Sequence, residues 1–177
     1  ADAAPVVHSD GRLHPVDVRW APAAPAAGGR RRGPSAAEQA AVQEALLKSE
    51  QKGEIVLEMP DDGRFGTFKE CLQAYKPHLV YLSGHGNFNH EHHNARAWGS
   101  FLFENQEGMG ISVPEEEISN CFQSTGVQLL VLSACLSGKH HPDYPGNGLT
   151  RRLYQNGIPY VVGMRESLMD KAGIKFA

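Results

Sequence analysis

The chain has 177 residues, 41% of them hydrophobic and 21% charged, with a formal net charge of −3 at pH 7. These values are typical of a soluble globular protein, and the charge gives no electrostatic reason to expect binding to nucleic acid or to an anionic membrane. No apolar run approaches the roughly 20 residues of a membrane span. The three scattered cysteines include no CxxC pair and indicate a reducing compartment, so we expect a cytoplasmic protein.

Prolines and alanines are concentrated at the start of the chain. We expect residues 1–15 to be a linker or a disordered segment. The alternation from Val16 to Trp20 permits a first strand, and the predicted folded domain covers residues 16–177. The GGRRRG run at 28–33 predicts an exposed loop, with cleavage by a basic-specific protease as the alternative. The missing initiator Met and the lack of a C-terminal stop signal favour a piece of a longer protein.

Helix and strand signals alternate along the rest of the chain. Ser35, with Glu38 three residues later, forms a capping box that opens a helix to about Glu50, with a buried stripe that includes Val42 and Ala45. The later predicted elements are a strand at 54–59, a helix from Thr67 to Pro77, a strand at 79–84, a polar loop at 87–99, a β-hairpin at 101–113, a helix from Pro114 to Gly126, a strand at 127–132, a helix capped by Asn147 and ended by Gly157, and a strand at 159–163. This order predicts an α/β fold: a mostly parallel sheet flanked by helices, an αβα sandwich with a β-hairpin insertion.

Two apolar runs each end at a reactive side chain. The run HLVYL at 78–82 is followed by SGHG, which contains His85, and the run VQLLVL at 127–132 is followed by SAC, which ends in Cys135. Because open α/β sheets bind ligands at the carboxyl ends of their strands, we expect both residues at one edge. A nearby imidazole can accept the proton of a thiol as that thiol attacks a carbonyl carbon. The amides of Gly86 and Cys135 are candidate donors for the oxyanion. A buried cysteine at a strand end, with a histidine in a turn, is the alternative.

These motifs resemble those of the caspase-like cysteine peptidases of clan CD, and among them the CHAT domains. The similarity runs from about Val16 to Gly163 and includes the segments TFKECLQAYKPHLVYLSGHG and GNGLTRRLYQNGIPYVVG. The resemblance implies that His85 is the general base and that Cys135 is the nucleophile. It also implies an oxyanion hole at Gly86 and the Cys135 amide, and cleavage of a protein substrate through an acyl-enzyme without a cofactor.

The resemblance has implications for partners as well. CHAT peptidases are typically inactive until a sensor or a tetratricopeptide-repeat domain is engaged, including those attached to type III CRISPR-like defence complexes. We therefore expect a protein or peptide substrate, a regulatory domain or partner, and a role in bacterial defence. The family's sheet continues beyond the strand at 159–163, so we expect the C-terminal part of the fold to be missing. A catalytically silent caspase-like scaffold in a larger assembly is the alternative function.

Three carboxylates are candidates for binding the substrate. Asp143, Glu166 and Asp170 would suit an Arg or Lys side chain, since a carboxylate pairs well with a guanidinium or ammonium group. Ordinary surface carboxylates are the alternative. Asn87 and Asn147 are candidates for orienting the imidazole, although an N-cap role also explains Asn147.

Histidines follow the first motif closely and suggest a metal site. His90, His92 and His93 lie in one short segment, but HEHH has no fixed helical i, i+4 register and no CxxC pair accompanies it. We therefore expect neither a metal nor another cofactor. Cys71 lies beside apolar residues of a predicted helix and is expected to be a core thiol.

Overall fold

The structure is a computed structural model that describes residues 16–22, 36–60, 62–91, 96–141, 143 and 146–166. For residues 16–22, 36–39, 90–91 and 96 it describes the backbone alone. The predicted linker at 1–15 and the GGRRRG run at 28–33 lie outside the described residues. No helix in the described ranges is both long and apolar enough to span a membrane.

Strands and helices make up most of the described residues. In chain order they are β1 (Val16–Pro22), α1 (Ala36–Gln51), β2 (Ile55–Glu58), α2 (Phe65–Tyr75), β3 (Leu79–Gly84), β4 (Gly86–Glu91), β5 (Arg96–Glu104), β6 (Gly110–Pro114), α3 (Glu115–Cys121), β7 (Leu129–Ala134), α4 (Leu149–Gln155) and β8 (Tyr160–Gly163). Five strands form a parallel sheet in the order β2-β1-β3-β7-β8, and β4, β5 and β6 form a second, antiparallel sheet. The predicted α/β class, with a mostly parallel sheet flanked by helices and a hairpin insertion, is confirmed.

The central strands β3 and β7 are apolar on both faces, which is typical of a strand covered on both sides. On one face Val80 and Leu82 of β3 and Leu130 and Leu132 of β7 are fully buried. They pack with side chains from α2, α3, α4 and the antiparallel sheet, among them Phe68, Leu72, Phe101, Phe103, Ile118, Leu149 and Leu153. On the other face Tyr81 is buried against Val42 of α1. The sheet is therefore a layer between helices, and its carboxyl-terminal edge is the place to look for a site.

The antiparallel sheet differs from the sequence prediction. The segment 87–99 was expected to be a polar loop, but its described residues, 87–91 and 96–99, belong to β4 and to the first part of β5, paired from Gly86↔Phe101 to Glu91↔Arg96. A run of Asn and His carries little strand propensity, so the pairing with the neighbouring strand decides the conformation. The insertion also belongs to the core, since the ring of Phe103 lies 4.9 Å from that of Phe65, between centroids.

Two helix starts and one buried position were also predicted wrongly. Helix α2 begins at Phe65 instead of after Thr67, and its N-cap, Arg64, makes no side-chain capping bond. The N-cap of α4 is Gly148, without a side-chain cap, rather than Asn147. In α1, Ala45 is exposed. Capping patterns name residues able to cap, and tertiary contacts decide whether those side chains are used in that way.

Candidate active site

The register of β3 and β7 places the two predicted catalytic residues side by side along the backbone. Gly84 at the end of β3 pairs with Ala134 at the end of β7. His85 and Cys135 each follow one of these paired residues, so both leave parallel neighbouring strands at the same edge. Such strands lie about 4.8 Å apart. Both residues are half-buried, and their catalytic roles stay predictions.

Gly86 brings the two segments into direct backbone contact. A Cβ added at Gly86 would overlap the carbonyl oxygen of Cys135 and would lie 3.4 Å from the Cβ of Ala134. Only glycine permits this approach. The backbone on the His85 side is also fixed from β5, because the Leu102 amide donates a hydrogen bond to the His85 carbonyl oxygen at 2.9 Å. The predicted oxyanion donors, the amides of Gly86 and Cys135, therefore belong to segments that touch, and their donor role stays a prediction.

A tight turn follows Cys135 and is fixed by the end of β8. Leu136 has a φ of 56°, in the left-handed region, which costs a residue with a Cβ about 1 kcal/mol. The Ser137 hydroxyl donates to the Leu132 carbonyl oxygen at 3.3 Å and accepts a hydrogen bond from the Met164 amide at 2.9 Å. The turn that carries the thiol is thus strained and is held by bonds on both sides.

The loop beyond this turn is closed at its base and reaches across to the antiparallel sheet. Asn147 Oδ1 accepts a hydrogen bond from the His141 amide at 2.9 Å. Gly148, with a φ of 94°, packs against the carbonyl oxygen of Lys139, where a Cβ would overlap. The Lys139 ammonium lies 5.9 Å from the ring centroid of Phe88 in β4, within the range of a cation–π contact. Neither Lys139 nor Phe88 was predicted from the sequence to belong to the site.

Comparison with known families identifies the family of the chain. The family model of the CHAT domain matches residues 22–177. The chain belongs to the CHAT-domain family. CHAT domains are related to the caspase-like cysteine peptidases, so the resemblance seen in SGHG and LLVLSAC is confirmed at the level of the family. No curated protein matched the chain.

The predicted substrate-binding carboxylates of this CHAT domain are exposed where the structure describes them. Asp143 Oδ2 lies 3.7 Å from His141 Nδ1, and Glu166 is exposed. Asp170 lies outside the described residues. Asn87 is exposed, and its Nδ2 donates to Asn89 Oδ1 at 3.2 Å. The roles suggested for these residues in binding substrate or orienting the imidazole stay predictions.

The metal hypothesis draws no support from the described part of the chain. Within it, no group of three or more His, Cys, Asp and Glu side chains is arranged to hold a metal ion. His92 and His93 lie outside the described residues, and for His90 only the backbone is described.

The cysteines of this CHAT domain lie in different environments. Cys121 is buried, and its thiol donates to the Ile118 carbonyl oxygen at 2.7 Å. Burial raises the pKa of the Cys121 thiol to about 12, so this thiol is inert at neutral pH. Cys71, expected in the core, is only half-buried. Cys135 is half-buried at the carboxyl end of a central strand, where ligands bind in open α/β sheets.

One buried acidic side chain near the site was missed by the sequence analysis. Glu115 begins α3 together with two other first-turn glutamates, a position that the helix dipole favours for acidic residues. Its side chain is buried, and Oε2 accepts hydrogen bonds from the amides of Gly99 at 2.5 Å and Gly148 at 2.9 Å. Burial raises the pKa of the Glu115 carboxyl above its usual value, although the two backbone hydrogen bonds and the Arg152 charge act in the opposite direction. A run of three glutamates gives no signal for which one points inward.

Proposed function

We propose that this CHAT domain is a cysteine endopeptidase, with Cys135 as the nucleophile and His85 as the general base. The observation that carries the proposal is the pairing of Gly84 with Ala134, since a thiol and an imidazole follow these two residues on neighbouring strands. The membership of the chain in the CHAT-domain family supports the same chemistry.

The proposed reaction is acyl transfer to sulfur. The His85 imidazole takes the thiol proton as the Cys135 sulfur attacks the carbonyl carbon of the scissile peptide bond, and the carbonyl oxygen becomes an oxyanion. The amides of Gly86 and Cys135 donate hydrogen bonds to that oxyanion. As the intermediate collapses, the C–N bond breaks and the amine leaves with the proton from the imidazolium, which leaves a thioester. Water then attacks the thioester while His85 accepts its proton, so that the acid is released and the thiol is restored.

The same proposal includes the surroundings of the reaction. The substrate is a protein or peptide, and the activity is gated by a sensor, a tetratricopeptide-repeat domain or another regulatory partner. The enzyme acts in the cytoplasm, in bacterial defence. Asp143, Glu166 and Asp170 are the proposed contacts for a basic substrate side chain, which the exposure of Asp143 and Glu166 permits.

Cleavage of a peptide library, read by mass spectrometry, tests the proposal. The wild type is compared with Cys135→Ala and with Cys71→Ala, which removes another half-buried thiol and serves as the matched control. We expect wild type and Cys71→Ala to give the same products and Cys135→Ala to give none. Products that persist in Cys135→Ala would contradict the proposal. A wild type that cleaves nothing, and in which iodoacetamide labels Cys135 no faster than Cys71, would favour the silent scaffold.

A further inference from the structure

We infer that Glu115 is a positioning residue for the proposed active site, because its buried carboxylate joins the antiparallel sheet that follows His85 to the base of the loop that follows Cys135. The inference rests on the proposed function of this pair. It concerns how the two halves of the site are held in place relative to each other. Glu115 itself lies in neither of the segments that carry the thiol and the imidazole.

The Glu115 side chain bridges two segments of backbone. A single oxygen, Glu115 Oε2, accepts hydrogen bonds from the Gly99 amide in β5 at 2.5 Å and from the Gly148 amide at the start of α4 at 2.9 Å. The side chain is 8% exposed, so little water competes for that oxygen. Hydrogen bonds to a charged acceptor are roughly twice as strong as neutral ones. The bridge is therefore a strong link between two segments 49 residues apart, as 148 − 99 shows.

The backbone at both ends of the bridge is closely packed. A Cβ at Gly99 would lie 2.7 Å from the Leu149 amide nitrogen and 3.1 Å from Glu115 Oε2. A Cβ at Gly148 would overlap the Lys139 carbonyl oxygen, and the φ of 94° there also favours glycine. Both donors are thus residues without side chains, at positions where a Cβ would collide with a neighbouring backbone atom.

The two ends of the bridge lie in backbone that continues from the segments of His85 and Cys135. Gly99 pairs with Phe88 of β4. Phe88 lies two residues beyond Gly86, and Gly86 is in contact with the Cys135 carbonyl oxygen. Gly148 closes the base of the loop that begins after the Cys135 turn, where it packs on Lys139. A change in the length of the bridge therefore shifts the backbone that follows His85 relative to the loop that follows Cys135. A displacement of about 1 Å at reacting groups can cost about 100-fold in rate.

The charge of Arg152 offsets part of the effect of burial on the Glu115 carboxyl, whose pKa is raised overall. Arg152 of α4 acts on it as an opposite charge, and Glu116 of α3 acts as a like charge of smaller effect. The Arg152 Nε atom is buried and has no hydrogen-bond partner among the described residues. The bridge therefore rests on geometry, and the Arg152 charge lowers the cost of burying the carboxylate.

Three variants separate positioning from stability. Glu115→Asp keeps the charge but shortens the side chain by one methylene, whereas Glu115→Gln keeps the length and an oxygen that can accept both hydrogen bonds. Asn156→Ala is the control, since it removes the hydrogen bond from Asn156 Nδ2 to Ser119 Oγ, which also joins α4 to α3, without touching either loop. The measurements are kcat and KM for a cleaved peptide, the rate at which iodoacetamide labels Cys135, and hydrogen exchange at the amides of Gly99 and Gly148.

We expect Glu115→Asp to lower kcat by about 10- to 100-fold with a smaller change in KM, by loss of alignment. Glu115→Gln should keep kcat within about threefold, as the rescue by an isosteric acceptor, and Asn156→Ala should keep the wild-type kcat. Hydrogen exchange at the Gly99 and Gly148 amides should be at least about tenfold faster than in wild type for Glu115→Asp, and unchanged for the other two variants.

The outcomes also separate this inference from the proposed function. A folded Glu115→Asp with wild-type kcat, in an enzyme that cleaves, would overturn the positioning role and leave the peptidase standing. An equal fall of kcat in Asn156→Ala would reduce Glu115 to a structural residue. If Cys135→Ala cleaves the same peptides as the wild type, the peptidase proposal fails by itself. The labelling rate of Cys135 and the exchange of the glycine amides then decide the bridge, and unchanged values in Glu115→Asp would overturn it.

Discussion

Substitution of Gly86 by alanine is the smallest change that separates the two halves of the site. The added Cβ meets the Cys135 carbonyl oxygen, a backbone atom that cannot rotate away, and lies 3.4 Å from the Ala134 Cβ. Carbon–oxygen contacts normally lie at about 3.3 to 3.6 Å, so the two segments must move apart by about 1 Å. Overpacking of this kind costs about 1–3 kcal/mol, and a displacement of about 1 Å lowers catalysis about 100-fold.

Urea unfolding and peptide cleavage measure these two effects. We expect Gly86→Ala to lower the free energy of unfolding by about 1–3 kcal/mol and kcat/KM by about 100-fold. The matched control is Gly66→Ala in α2, where an added Cβ meets no atom within 4 Å. That variant should be as active as wild type and up to about 1 kcal/mol more stable, since alanine favours a helix. Wild-type stability and activity in Gly86→Ala would refute the backbone contact on which the site is built.

Three further predictions concern the turn, the buried thiol and the buried carboxylate. Ser137→Ala loses the hydrogen bonds to Leu132 and Met164 that hold the turn after Cys135. Its free energy of unfolding in urea should therefore fall by about 1–3 kcal/mol, and its kcat should also fall. Unchanged values would show that these bonds do not hold the turn in place. Cys121 should stay unlabelled by iodoacetamide at neutral pH in the folded protein, as read by peptide mass spectrometry, because burial raises its pKa to about 12; rapid labelling would show that its burial is wrong. Burial raises the pKa of the Glu115 carboxyl in the folded state above its value in the unfolded state, so the folded state binds the carboxyl proton more tightly. The contribution of this proton to the free energy of unfolding is therefore lost as pH rises through the raised pKa. Wild type should therefore lose stability relative to Glu115→Gln as pH rises over that range in urea unfolding, and a difference that grows in favour of wild type would contradict the sign.

The central strands could be predicted well from the sequence, whereas the antiparallel sheet could not, because its strands depend on pairing rather than on local residue patterns. The runs at 78–82 and 127–132 are apolar on both faces, and only a covered strand suits such a run. β4 is polar, and its conformation comes from pairing with β5, a contact that local propensity does not report. The hairpin strand β5 was predicted, but the full burial of Phe101 and Phe103 depends on rings from α2 that lie far away in sequence.

Some residues of the site could likewise be predicted from the sequence, and others could not. His85 and Cys135 could be placed at one edge from sequence because each follows a recognisable strand, and the register of those strands agrees. Glu115 could not be found, because its partners are backbone amides brought together by folding, and a backbone amide leaves no residue pattern. Asn147 was assigned a local cap, but its side chain accepts a hydrogen bond from the His141 amide in the loop instead.

The most direct measurement is the second-order rate at which iodoacetamide labels Cys135 at neutral pH, in wild type and in His85→Ala. If the imidazole at the end of β3 accepts the thiol proton, His85→Ala should label Cys135 at least about tenfold more slowly. His140→Ala, which removes an exposed histidine of the Cys135 loop, should label at the wild-type rate. Equal rates in wild type and His85→Ala, with Cys135 no more reactive than Cys71, would contradict the pairing of thiol and imidazole at this edge of the sheet.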